Sequence, residues 1–145
     1  MQVRVAFLTG ALTAVVGCGF GFSVSEPTIE GTTWRAVMLE GSPPAPGTEV
    51  TLQLGPGNLS GFAGCNNFTS AQLRIGSGSF QDGVPVEFGE IAADDAVCED
   101  PAVMAMEEEL LENLGVTSQL RFEDGQLILQ GPQGRLQFEQ LQIDG

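Results

Sequence analysis

Residues 61 to 68 read Gly-Phe-Ala-Gly-Cys-Asn-Asn-Phe, and the cysteine at their centre has one partner candidate downstream, Cys98. The chain has three cysteines and no histidine. Without imidazole there is no Cys-His or Ser-His-Asp machinery and no His-ligated metal. As a nucleophile Cys65 would lack a base, and the negative charge around it disfavours a thiolate. As a metal ligand it would have only Cys98 and carboxylates for company, a poor zinc set. A Cys65–Cys98 disulfide is therefore the expected state, with two buried free thiols as the alternative.

The second concentration of chemistry is acidic. Asp94, Asp95, Glu99 and Asp100 surround Cys98, and Glu107, Glu108, Glu109 and Glu112 follow. The alternating oxygen ligands and central glycine of an EF-hand are missing. A glycosidase pair needs two carboxylates at a set distance, which nineteen acids satisfy by chance. Asp100 reads as a helix cap, and the glutamates with Asn113 read as a solvated helix face. The short glycine runs at 55–58 and 76–79 lack the context of phosphate loops. No catalytic, cofactor-binding or metal-ligating residue is expected.

Composition narrows the partners. Net charge is −14, with no lysine and five arginines. That excludes nucleic acid, whose phosphates require clustered cations, and electrostatic docking on anionic lipid. Hydrophobic content of 42% in 145 residues supports one domain with a real core, and 20 glycines with 8 prolines favour short strands and many turns.

The first residues carry a different signal. One cation, Arg4, precedes an apolar run from Val5 to Val16, too short to span a bilayer but suited to a signal-peptide core. The run closes on Val15-Val16-Gly17-Cys18, which resembles the lipobox of bacterial lipoproteins. Residues 1–17 are then a signal peptide and Cys18 the lipid attachment site. Each buried methylene contributes about 0.8 kcal/mol, so several acyl chains anchor firmly. Ordinary secretion with later cleavage, or an uncleaved anchor, is the alternative. Gly19, in place of Asp, leans by the same resemblance toward an outer membrane. Lipidation of Cys18 leaves two cysteines to pair, in a compartment where disulfides persist. Residues 18–31 read as the lipidated cysteine and a flexible tether.

The domain, 32–143, must position these residues. Strands are expected over 32–39, 49–54, 59–64, 68–75 and 84–91, with loops at 41–49 and 76–83. The break at Gly64-Cys65-Asn66-Asn67 uses residues that tolerate left-handed backbone. One helix is expected over about 101–114, with Asp100 as cap, Pro101 in the first turn and Gly115 as terminator. Its apolar stripe is Val103, Met106, Leu110 and Leu114, widened by Met104 and Leu111. Three alternating runs then form a meander, with Asp124-Gly125 as a hairpin turn. The fold class is α+β: a small, mostly antiparallel curled sheet or partial barrel with one helix.

Taken in order, Glu30–Gly41, Leu59–Phe68, Ile91–Leu114 and Leu120–Gln140 resemble the META domain, the family of the heat-inducible bacterial protein HslJ. The motif residues are Trp34, Ser60, Gly61, Gly64, Cys65, Asn66 and Cys98. The sequence departs from the family at Asp94–Val97, where a threonine and a methionine are common, and at Phe68, often tyrosine. The resemblance implies a compact β domain with one helix in bacterial envelope proteins. It implies no established enzymatic activity, and links to stress, novobiocin tolerance, secretion and parasite motility. The expected function is that of a non-enzymatic cell-envelope lipoprotein, monomeric, held to the membrane by its lipid, with a stress-related or binding role and a possible envelope protein partner. The alternatives are an apolar small-ligand binder, or an inhibitor or adaptor of an envelope enzyme.

Overall fold

The computed structural model describes residues 29–141, together with Gly17, Gly19 and Gly21. The signal segment, Cys18 and most of the tether lie outside the described residues. The elements run β1 (Thr32–Leu39), β2 (Thr51–Gly55), β3 (Asn58–Phe62), β4 (Asn67–Ser70), β5 (Leu73–Ile75), β6 (Val84–Phe88), β7 (Ala92–Ala93), α1 (Pro101–Val116), β8 (Gln119–Glu123), β9 (Gln126–Gly131) and β10 (Gly134–Gln140). The strands form one antiparallel sheet in the order β5-β6-β8-β9-β10-β1-β2-β3-β4-β7. The sheet curls into a partial barrel with a single helix among the described residues, the α+β class expected.

Alternation decides which residues fill the barrel. Leu52 and Leu54 on β2, Val84, Val86 and Phe88 on β6, and Leu136 and Phe138 on β10 are buried, while the residues between them face outward or lie half-buried. Trp34 stacks on Phe122 at 5.7 Å, and Phe80 meets the same ring edge-on. The Trp34 indole N–H donates to Thr32 Oγ1 at 2.7 Å, which satisfies its one polar atom in the core.

Turn chemistry sets the connections. Asp124 and Gly125 both have positive φ (51° and 79°), the pair of left-handed residues that a two-residue hairpin with right-handed strand twist requires. Glu40 and Gly41 repeat this at 51° and 87°, closed by Leu39–Ser42 backbone bonds, so the expected loop at 41–49 begins with a tight turn. The expected strand 68–75 is two strands. Buried Ser70 takes the N–H of Gln72 and donates to its carbonyl, which bends the chain at Ala71–Gln72. The bend carries the chain from β4 near one end of the sheet to β5 at the other.

The helix starts as its caps dictate. Asp100 accepts from the N–H of Ala102 at 2.9 Å, and Pro101 occupies the first turn. It ends two residues later than expected. It runs through Gly115 to Val116 and stops at Thr117, whose hydroxyl donates to the Asn113 carbonyl at 2.8 Å. The helix packs on β6 and β9, with Leu110 and Leu114 in the core and Met106 and Leu111 partly so, while Val103 is buried beside Gly64 of the β3–β4 turn. Met104 does not widen the stripe; it is 43% exposed.

Candidate functional site

The break in the cysteine motif is a hairpin turn. β3 and β4 pair up to Phe62 and Asn67, and Ala63 donates to the Asn66 carbonyl across the turn at 2.9 Å. Gly64 sits at φ 106°. A Cβ there would lie 2.8 Å from Met106 Cε and 3.3 Å from Val103, so the missing side chain lets the helix approach. Gly61 is needed for a different reason, since its φ is ordinary. A Cβ would fall 2.2 Å from the Thr51 carbonyl oxygen and 2.4 Å from the Phe68 ring. Gly61→Ala is therefore expected to destabilise by about 2–3 kcal/mol through overpacking, read as a lower urea midpoint at unchanged slope.

Cys65, at the tip of this hairpin, is bonded to Cys98, with Cα atoms 6.0 Å apart. The bridge joins the hairpin to the segment that leads into α1. Beside it lies a feature that sequence reasoning missed. Glu107 is 8% exposed and accepts from the backbone N–H groups of Cys65 (3.3 Å) and Asn66 (2.8 Å) and from the Asn66 side-chain amide (2.5 Å). This corrects the reading of Glu107 as part of a solvated face; Glu108, Glu109 and Glu112 are exposed as expected. The signal was present: residues 103, 107, 110 and 114 recur at spacings of four, three and four, so Glu107 lies on the buried stripe. Asn113 follows the parallel line through 106 and 110, and is also buried.

Asn66 explains why an amide is needed next to the cysteine. Its Oδ1 accepts from Ala96 N–H at 2.9 Å, while its Nδ2 donates to Ala96 O (3.1 Å) and to Glu107. It pairs with Ala96 as a peptide group would, just beyond the backbone bond from Asp94 N–H to Asn67 O. An aspartate would set a second carboxylate against Glu107 and lose both donors. Disulfide, amide and carboxylate thus form one clasp tying hairpin, segment 94–98 and helix.

The two sulfurs and a Glu107 oxygen lie within 4.8 Å of one another, the described residues' potential metal ligands. As a disulfide the sulfurs are not thiolates, and Glu107 is occupied by N–H donors, so the set fits a metal only after reduction. Of the other motif residues, Ser60 faces outward on β3, half-buried, with no side-chain hydrogen bond among the described residues, and Trp34 belongs to the aromatic core. Cys18 lies outside the described residues.

A family model for the META domain matches residues 27–143. Among solved structures, the chain is similar to a protein from Burkholderia xenovorans determined by NMR. That pair shares 22% identity over 78% of this chain and 83% of that one, with a TM-score of 0.56. A second NMR structure matches at 18% identity over 80% and 94%, with a TM-score of 0.60. At these identities the likeness is one of fold. No curated protein matches.

Proposed function

This chain belongs to the META domain family, and on that premise we propose that it is the non-enzymatic domain of an exported bacterial cell-envelope protein, anchored through acylated Cys18. The observation that carries this reading is the clasp. The thiols, the amide and the buried carboxylate that would serve chemistry are all spent on holding hairpin, segment and helix together. A disulfide as a structural bond suits an oxidising compartment, outside the cytoplasm. The role is binding or stress-related support, with the domain in the periplasm or at the cell surface.

Intact mass spectrometry of protein purified from membranes, with and without reductant, tests this. The expected species begins at Cys18, carries acyl chains, and gains two hydrogens on reduction. A mature chain with an unmodified Cys18, or one with no reducible bond, overturns the corresponding part of the reading.

A further inference from the structure

Between α1 and the turn after β1 lies a half-open groove of about 340 Å³, at the small end of the roughly 300–1,000 Å³ range of ligand sites. Its accessible apolar surface comes from half-buried Leu39 and Met106 with Pro43 and, on the helix side, Ala102 and Ala105, above the buried Leu110 and Leu136. Two alanines on this flank leave the space open. Both walls are fixed. The Glu40-Gly41 turn is closed by reciprocal Leu39–Ser42 bonds at 2.7 and 3.0 Å, and the Ala45 N–H donates to Met106 Sδ at 3.3 Å.

The polar groups on this groove share one character. Asn113 is 5% exposed, and its amide N–H is used by the Glu109 carbonyl at 3.0 Å. Its Oδ1 accepts no hydrogen bond among the described residues, an open acceptor in a side chain that is otherwise buried. Glu109 lies one turn away on the same wall and Glu40 on the opposite one, and no arginine lines the groove. Acceptors and negative charge beside an apolar floor call for a donor-rich cation on an apolar stem.

We propose that this groove binds a small primary alkylammonium ligand. The alkyl stem lies on Leu39, Ala105 and Met106, and the ammonium donates to Asn113 Oδ1 and the Glu109 carboxylate. The inference goes beyond the envelope reading and stands whether or not Cys18 is acylated.

The test titrates the full domain with n-octylammonium, octanoate and octanol below their aggregation concentrations, following backbone amide shifts by NMR. Saturable shifts at Ala102, Ala105, Met106 and Asn113 are expected with octylammonium, and none with octanoate. Ala105→Leu fills the groove with a good helix former at an exposed position, so circular dichroism should be unchanged while binding falls at least about tenfold. Glu109→Gln should weaken octylammonium about two- to fivefold, the scale of a partly exposed ion pair, and leave octanol unchanged. Equal binding of octanoate, shifts outside the groove, or indifference to Ala105→Leu would overturn the proposal.

Discussion

Replacing Cys65 and Cys98 together by alanine is expected to lower the unfolding free energy by about 3–4 kcal/mol and the melting temperature by roughly 10–20 °C. The bridge closes 33 residues of chain. Leaving that loop open lets the unfolded ensemble recover its closure entropy, and the loop holds β4, β5, β6 and β7, four of the ten strands among the described residues. The folded state should change little. Glu107 still holds the hairpin N–H groups, and Asn66 still pairs with Ala96. The variant is thus expected to keep the wild-type fold by circular dichroism and to differ in urea and thermal midpoints. Reductant should shift wild type to the variant's values and leave the variant unmoved. A loss below about 1 kcal/mol would mean that the unfolded chain keeps this loop compact without the bridge.

What the sequence revealed and what it concealed follows from the range of each interaction. The helix start depends on neighbours: Asp100 needs only the N–H of Ala102, and Pro101 only its own ring. The Asp124-Gly125 turn is likewise local, because two left-handed residues suffice to reverse the chain. Strand faces were legible because burial alternates with period two, as in Leu52 and Leu54. The late helix end was hidden because Gly115 meets nothing that demands a stop, while Thr117 supplies a hydroxyl for the Asn113 carbonyl. The split of 68–75 was hidden because Ser70 reads as one more polar residue on an alternating strand until its side chain is seen bonded to Gln72. Glu107 was concealed most deeply. Charge type assigned it to water, periodicity assigned it to the core, and the donors that resolve the conflict lie 41 and 42 residues away along the chain.

That conflict makes Glu107 the most informative position to change. Glu107→Leu keeps the apolar stripe continuous but leaves the Cys65 and Asn66 N–H groups without their acceptor. Each buried unsatisfied donor costs about 1–3 kcal/mol, and the bonds lost are charge-assisted, so about 3–5 kcal/mol is expected overall. Glu107→Gln should cost less, about 1–2 kcal/mol. It retains one carbonyl oxygen but turns an NH₂ toward a donor and loses the charge. Asn66→Ala should couple with both, because the Asn66 amide bonds Glu107 directly. Denaturant titrations of the single and double variants measure that coupling, and hydrogen exchange at the Cys65 and Asn66 amides reports whether the hairpin tip is released. Buried ionic groups are sometimes replaced by hydrophobes without loss, where the polar partners leave with them. Here two of the three partners are backbone N–H groups that stay in place when only residue 107 is changed, so Leu at 107 should destabilise. A neutral or stabilising Glu107→Leu, with exchange at 65 and 66 unchanged, would mean that the disulfide alone seats the hairpin against the helix.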